Sequence, residues 1–445
     1  WISLLKGFKG TRVLSILKET APSRWKEKDL FHYIRLPYTL RFPPPYWLRE
    51  LEQHARKAGI GIIRTLQAEE TLHPPSELDR GLIHEKDILH LEYNPSGWKD
   101  IGQFLTAWKN WKQVLSREGK LSFLLTGPFG YPFQILSTLF GSCLTYTSLS
   151  KDGSLIDLVS LNKVYRYSAL GPRTKIFGII GNPVLHSRSP LLHNRGYEQL
   201  GFKGVYVPFL VDDLQSFFPL VPFLGIKGLS VTVPFKEAVL PFCDQVEDSV
   251  KAVGACNTLV FSEQKIEGFN TDVEGFLAPL KEGLSSLKGI NALVIGAGGA
   301  ARSVVYALAR EGARLLVLNR TVERAKRLAE EMTAVLALPQ ENIKYGPLDL
   351  SGATIAKRFA PELVVQTTSR GMHPAEKEDA FSELTFQGTE IVYDLVYVPR
   401  ETLFLKRAAQ AGCKIIYGDA MLVHQALRQF LLFTGKSFPE VPNFT

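Results

Sequence analysis

Between residues 176 and 276, polar side chains gather in four short runs: SRSP at Ser187–Pro190, SVTVPFK at Ser230–Lys236, ACNT at Ala255–Thr258 and NTD at Asn270–Asp272. Each follows an apolar strand-like stretch, which is where an open parallel sheet places its ligands. Hydroxyl and amide groups from several strand ends suit a small polyhydroxylated ring, because each ring hydroxyl needs a partner once it leaves water. The set holds one lysine, Lys236, and one aspartate, Asp272. Such a pair can share proton transfer to a substrate oxygen. Taken singly, each run reads as a turn or a cap, and Ser189-Pro190 as an ordinary helix start. Their joint occurrence upstream of a nucleotide-type turn is what makes them a site.

That turn lies in NALVIGAGGAAR, Asn291–Arg302, which reads as strand, glycine turn and helix. Gly296 allows the sharp turn, Gly298 and Gly299 let backbone approach a pyrophosphate, and Ala301 lets helix and strand pack closely. The free N–H groups at the helix start, around Ala300, attract phosphate. A second strand, Arg314–Leu318, ends in Asn319, Arg320 and Thr321, with Arg324 one turn on. NAD enzymes usually carry an acidic residue there for the ribose 2′-hydroxyl. A guanidinium fork suits a 2′-phosphate instead, so the pattern favours NADP.

The elements that must position these groups alternate between strand and helix. With 445 residues, 45% hydrophobic and 22% charged, the chain has the composition of a globular enzyme of about three domains. Strand-like runs recur at Arg12–Leu17, His32–Pro37, Gly59–Leu66, Asp87–Tyr93, Leu121–Gly127 and Cys143–Leu149, with helix-compatible stretches at Pro45–Ala58 and Trp98–Gly119. That alternation predicts an α/β fold with parallel sheets. Gly171-Pro172 marks a linker, a new strand begins at Ile176, and a further break falls near Gly289. The expected organisation is an incomplete, barrel-like (β/α) domain at 1–170, an α/β substrate domain at 174–276 plus 419–445, and a Rossmann dinucleotide-binding domain at 277–418. A last helix runs from about Met421 to Thr434.

The net charge of +8 comes from Lys and Arg spread along the chain. It reads as a basic surface that suits anionic small molecules, without a nucleic-acid signature. No apolar run approaches the roughly 18 residues of a membrane span, and no secretory leader is evident, so a cytoplasmic location is expected. Cys143, Cys243, Cys256 and Cys413 are far apart in sequence and form no CxxC pair. Neither a metal site nor a disulfide framework is expected, and a reducing compartment fits. Oligomeric state is left open.

Residues 174–445 resemble shikimate dehydrogenases over their full length. The resemblance is carried by GNPVLHSRSP (181–190), TVPFK (232–236), GACNT (254–258), NTD (270–272), GAGGAAR (296–302), NRT (319–321), TSRGM (368–372), DLVY (394–397) and MLVHQ (421–425). It implies that Lys236 and Asp272 form the catalytic pair. Ser187, Ser189, Thr232, Asn257, Tyr397 and Gln425 would bind the ring hydroxyls and carboxylate. Thr368 and Ser369 would lie beside the nicotinamide, with Gly418 and Met421 nearby. Ser230 stands where the family often has Asn, Val273 where Gly is common, and Gln366-Thr367 where Asn-Ala is usual. The implied reaction is reversible, NADPH-dependent reduction of 3-dehydroshikimate to shikimate, a step towards aromatic amino acids.

The N-terminal segment is similar to type I 3-dehydroquinate dehydratase, a (β/α)8 barrel, most clearly in LFGSCLTY at Leu139–Tyr146. That chemistry needs a lysine to form a Schiff base and a histidine to move protons. By register the lysine position holds His90, the histidine position Leu66, the arginine position Gln134 and the glutamine position Ser154. About six strands are visible, so the barrel lacks two, and its dehydratase site is expected to be dead. Two other readings compete: an enzyme active in both halves, and a non-catalytic ligand and nucleotide sensor. A retained Lys236–Asp272 pair argues against the sensor.

Overall fold

A computed structural model of the protein describes residues 13–15, 33–37, 46–67, 69–73, 87–115, 120–148, 155–263 and 265–439. Contacts divide the chain into two compact units, residues 1–174 with 207–224, and residues 175–206 with 225–445.

In the first unit, strands β1 (Val13–Ser15), β2 (Tyr33–Pro37), β3 (Gly61–Gln67), β4 (Ile88–Tyr93) and β5 (Lys120–Leu125) form one sheet in chain order, each parallel to the next. Helices α1 (Tyr46–Lys57), α2 (Trp98–Val114) and α3 (Gly127–Leu136) are interleaved with them. This sequential order is that of a barrel segment rather than of a doubly wound sheet. Among the described residues the expected sixth strand, Cys143–Leu149, does not form; Leu149 lies outside them. Cys143 N–H still donates to Leu121 O at 3.0 Å, and Ser142 Oγ accepts from Phe123 N–H at 3.2 Å. Beyond them the β-pairing of the segment, among the described residues, is an isolated bridge at Ser148. Ser142 Oγ also donates to Leu144 O at 2.7 Å, so a local side-chain bond competes with the ladder.

Residues 207–224, read from sequence as part of the substrate domain, cluster in this first unit. The fully buried Trp98 explains this: its Nε1 donates to Leu210 O at 2.6 Å, and its ring meets Phe217 edge-on at 4.5 Å.

Two six-stranded sheets follow in the chain. One takes the order β7-β6-β8-β10-β11-β9, from β6 (Lys175–Gly181), β7 (Gly204–Leu210), β8 (Ile226–Val231), β9 (Gln245–Val246), β10 (Thr258–Phe261) and β11 (Ile266–Phe269). It is mixed: β8–β10 and β10–β11 are antiparallel, where simple alternation suggested a parallel sheet throughout. The short hairpin connection at 262–265 forces that reversal, since a parallel return needs a crossover of a dozen residues or so.

The other sheet has the order β14-β13-β12-β15-β16-β17, all parallel, from β12 (Asn291–Ile295), β13 (Arg314–Asn319), β14 (Ile343–Pro347), β15 (Leu363–Gln366), β16 (Ile391–Asp394) and β17 (Lys414–Ile416). This is the doubly wound dinucleotide order, whose switch point lies between β12 and β15. Helices α4 (Ser189–Gln199), α5 (Asp272–Gly283), α6 (Gly299–Arg310), α7 (Val322–Val335) and α8 (Gly418–Thr434) complete the part that concerns the site. One apolar cluster runs from Phe276 and Leu280 of α5 through Val304 and Leu308 of α6 to Met421 of α8. It packs the helix that starts at Asp272 against the helix of the glycine turn.

Beneath the first polar run, His193 of α4 is fully buried and stacks on Tyr206 at 4.2 Å with an interplanar angle of 4°. Burial pushes its imidazole down to about 3. The folded protein therefore keeps His193 neutral, while the unfolded chain takes up a proton below about pH 6.5. This contribution is complete above pH 6.5 and is lost as pH falls towards 3. At pH 5.5 the loss is about 1.4 kcal/mol. Urea unfolding of His193→Phe is expected to lose that much less stability than the wild type between pH 7.5 and 5.5. Equal losses in the two proteins would show that His193 does not stay neutral when folded.

Candidate functional site

The polar runs converge at one end of the mixed sheet, past the carboxyl ends of β6, β8 and β11 and at the amino end of the antiparallel β10. The run Ala255–Thr258, expected to follow a strand, follows a helix, Asp248–Val253. Lys236 follows β8, with its carbonyl accepting from Cys256 N–H at 2.7 Å. Asp272 is the first residue of α5, and its backbone N–H donates to Asn270 Oδ1 at 3.0 Å. Lys236 Nζ reaches Asp272 Oδ2 at 2.5 Å, with side chains 14% and 5% exposed. Asn257, before β10, donates from Nδ2 to Asp272 Oδ1 at 2.8 Å, and its Oδ1 accepts from Thr271 N–H at 2.8 Å. The carboxylate is thus held by an ammonium on one oxygen and an amide on the other. Gln425 of α8 closes the group, its Oε1 lying 3.3 Å from Asn257 Nδ2.

Ser187 and Ser189 sit at the start of α4, with Ser189 N–H donating to Ser187 Oγ at 3.2 Å. Ser189 is buried and Ser187 half-buried. Tyr397 follows β16; burial raises its phenol above the usual range, opposed by a hydrogen bond with Ser187 and by the Arg188 charge. Thr232 is half-buried, and its N–H donates to Ile180 O at 3.0 Å.

Ser230 does not join this open group. It is buried, accepts from Tyr206 Oη at 2.6 Å and donates to Gln429 Oε1 at 2.8 Å. Gln429 Nε2 in turn donates to Thr258 Oγ1 at 2.9 Å and Asn257 O at 3.3 Å. Tyr206 and Gln429 therefore brace Asn257 from below. Sequence reading missed both, and their only signal was a polar residue inside an otherwise apolar strand or helix. Asn270 is a second brace, donating to Ala255 O at 2.9 Å and Ser303 Oγ at 3.0 Å.

On the nucleotide side, Gly296 has φ +112, and a Cβ there would stand 2.5 Å from Thr367 Oγ1. Only glycine fits that turn. Gly298 caps α6, with no atom within 4 Å of where its Cβ would stand. A Cβ on Gly299 would approach Lys236 Cβ to 3.1 Å, so the glycine turn borders the lysine. Ala300 is half-buried in the first turn of α6.

At the end of β13, Asn319 Nδ2 donates to Thr321 O at 2.8 Å. Arg320, Thr321 and Arg324 are exposed. Among the described residues neither Arg320 nor Arg324 has an ion-pair partner, whereas Arg302 and Arg327 both hold Glu331.

Thr368 is half-buried and Ser369 exposed, on a loop shaped by the buried Gln366. Gln366 Nε2 donates to Thr368 O at 3.2 Å and Arg370 O at 3.1 Å. Gly418 is buried at the first position of α8, and Met421 is 7% exposed within the apolar cluster. Asp394, before Tyr397, accepts from Thr402 Oγ1 at 2.7 Å and Val396 N–H at 2.9 Å, and burial pushes its carboxyl up to about 7. Among the described residues no group of His, Cys, Asp and Glu is arranged to hold a metal, and no helix is long and apolar enough to cross a membrane.

In the first unit, His90 is buried on β4, its Nδ1 2.8 Å from Ser122 Oγ and its ring 4.7 Å from that of Tyr146. Burial, aided by the Arg35 charge, pushes its imidazole down to about 3. Leu66 is fully buried. Gln134 is spent on the backbone, donating to Leu125 O at 3.0 Å and accepting from Ile156 N–H at 2.8 Å. Ser154 lies outside the described residues.

Residues 179–259 match the family model described as shikimate dehydrogenase substrate binding domain, and residues 279–357 that of shikimate / quinate 5-dehydrogenase. Shikimate dehydrogenase (NADP(+)) of Caldanaerobacter subterraneus subsp. tengcongensis is 43% identical over 268 residues, covering 60% of this chain and 93% of that protein. The chloroplastic bifunctional 3-dehydroquinate dehydratase/shikimate dehydrogenase of Arabidopsis thaliana is 36% identical over 338 residues, covering 71% of this chain and 54% of that protein. A crystal structure of a shikimate dehydrogenase in complex with NADP+ superposes with a TM-score of 0.55 and 34% identity, over 60% of this chain and 92% of that one. With the polar runs gathered round Lys236 and Asp272 and the glycine turn beside them, these likenesses establish that the chain belongs to the shikimate dehydrogenase family.

Proposed function

We propose that this chain is an NADP-dependent oxidoreductase that interconverts 3-dehydroshikimate and shikimate, with Lys236 as proton donor and Asp272 as the group that holds it. The observation that carries the reading is the 2.5 Å contact between Lys236 Nζ and Asp272 Oδ2, set beside a glycine turn with open space over Gly298.

When bound, NADPH supplies the hydride for the ring ketone. Gly296, Gly298, Gly299 and Ala300 would hold its pyrophosphate, since the first turn of α6 offers N–H groups in open space. Asn319, Arg320, Thr321 and Arg324 would hold the adenosine 2′-phosphate, for which two guanidinium groups with no ion-pair partner among the described residues are suited. Thr368, Ser369, Gly418 and Met421 form the nicotinamide side of the site.

Lys236 gives a proton to the oxygen that gains charge as the ketone is reduced, and takes it back in the reverse direction. Asp272 keeps the ammonium aimed and balanced, and Asn257 fixes the carboxylate. Ser187, Ser189 and Tyr397 receive the substrate carboxylate; because burial raises the Tyr397 phenol, it stays protonated and donates. Thr232, Asn257 and Gln425 receive the ring hydroxyls. On this reading residues 175–206, 225–276 and 419–445 form the substrate half and residues 277–418 the NADP half. The test is the absorbance of NADPH with 3-dehydroshikimate, run beside NADH. Absence of NADPH oxidation removes the assignment, and faster turnover with NADH reverses the cofactor preference.

The N-terminal unit we read as dehydratase-like and inactive. Alignment to the bifunctional plant relative covers 71% of the chain, against 60% for the single-function relative, so the likeness extends ahead of the dehydrogenase part. The strand Ile88–Tyr93 holds no lysine, and the neutral His90 lacks the primary amine that condenses with a ketone. A second reading, activity in both halves, is favoured by the bifunctional name of that same relative. Borohydride trapping with 3-dehydroquinate separates the two. The unmodified mass is expected, and a stoichiometric adduct within residues 1–170 would restore the bifunctional reading.

A further inference from the structure

Strand β11 is flanked by β9 on one side and β10 on the other, with Gly268 paired to Val246 and to Leu259. Cys243 precedes β9 and Cys256 precedes β10, so two cysteines 13 positions apart in sequence are brought to one strand. A Cβ on Gly268 would stand 3.0 Å from Cys243 Sγ and 3.1 Å from Cys256 Sγ. The two sulfurs therefore fill the space that this glycine leaves free. Cys256 is fully buried, and Cys243 is half-buried.

Cys256 is also wired to the reacting groups. Its N–H donates to Lys236 O at 2.7 Å, and the next residue, Asn257, donates to Asp272 Oδ1 at 2.8 Å.

We propose that Cys243 and Cys256 are a modification site, oxidised by a peroxide to a reversible disulfide that suppresses turnover. The Cys243 thiolate attacks one peroxide oxygen; the O–O bond breaks and hydroxide leaves, giving a sulfenic acid. Cys256 sulfur then attacks Cys243 sulfur; the S–O bond breaks and hydroxide takes the Cys256 proton to leave as water. Two thiols and one hydrogen peroxide become one disulfide and two waters. The hydrogen bond from Cys256 lowers the Cys243 thiol below its ordinary range, which makes the more accessible sulfur the attacking one. Cys143 and Cys413 lack this support: burial raises the first, and burial pushes the second up to about 11.

A disulfide closes the sulfurs to about 2.05 Å, and Cys256 moves with its strand. Misplacing a reacting group by about 1 Å costs on the order of 10²-fold in turnover. The effect on turnover rests on the roles proposed above for Lys236 and Asp272, whereas the cross-link does not.

The experiment treats the full chain with hydrogen peroxide, blocks free thiols with iodoacetamide and digests without reduction. A peptide pair joined through Cys243 and Cys256 is expected, with kcat lowered on the order of 10²-fold and restored by dithiothreitol. Cys243→Ser, or Cys243→Ala if the serine variant fails to fold, should keep its starting kcat and lose both effects. Cys143→Ser and Cys413→Ser should respond as the wild type does. The proposal falls if the joined peptide is absent, if turnover persists in the joined protein, or if Cys243→Ser is inactivated equally. A chain that turns over no 3-dehydroshikimate before peroxide, yet forms the joined peptide, fails the functional reading and leaves the cross-link standing.

Discussion

Lys236→Ala is expected to lower kcat by about 10²–10⁴-fold, the usual worth of a positioned acid or base, while KM for 3-dehydroshikimate rises modestly. The split follows from the geometry. Lys236 Nζ bonds a carboxylate oxygen at 2.5 Å, whereas the serines, Tyr397 and Gln425 that would carry ground-state binding come from other elements. An interaction made only as charge develops on the substrate oxygen affects kcat and kcat/KM together. Removing the ammonium also leaves Asp272, 3% exposed, with Asn257 but no cation. A melting curve on the same sample therefore separates loss of chemistry from loss of fold. Steady-state rates at saturating NADPH decide the matter: a folded variant with wild-type kcat removes Lys236 from the proton transfer.

Arg320→Ala should raise KM for NADPH by about 10–150-fold, corresponding to the roughly 1.5–3 kcal/mol of a charge-assisted contact, and leave KM for NADH nearly unchanged. Arg320 is exposed at the end of β13 and has no ion-pair partner among the described residues. Its loss therefore breaks no ion pair among the described residues, and the change reads on the ligand. Two neighbours, Arg302 and Arg327, are occupied by Glu331; substituting them would mix binding with packing. Equal increases for the two cofactors would take Arg320 out of phosphate recognition.

Where chemistry is carried by short contiguous runs, the sequence by itself determined it. GAGGAAR marks the glycine turn between β12 and α6, because Gly296 must adopt a positive φ; NRT one strand later, with no acidic residue, is what points to NADP. The polar runs named Lys236, Asp272 and Asn257 as one group; Lys236 and Asp272 follow strands as expected, whereas Asn257 follows a helix and starts the antiparallel strand β10. The same register argument removed lysine from strand β4, and the buried, neutral His90 now stands there.

Other features depend on which strands become neighbours, and only the tertiary structure decided those. Ser230 looked like a ligand group, but its hydroxyl is taken up by Tyr206 and Gln429, which distant parts of the sequence bring against it. Cys143–Leu149 looked like a strand, yet a side-chain bond from Ser142 to Leu144 O competes with the ladder. Residues 207–224 follow Trp98 and not their neighbours in sequence, because one large buried ring needs apolar contacts and a carbonyl for its N–H. Cys243 and Cys256, distant in the chain, meet over Gly268 because β9 and β10 flank β11. Pairings of this kind arise from packing between elements, and no local pattern of residues encodes them.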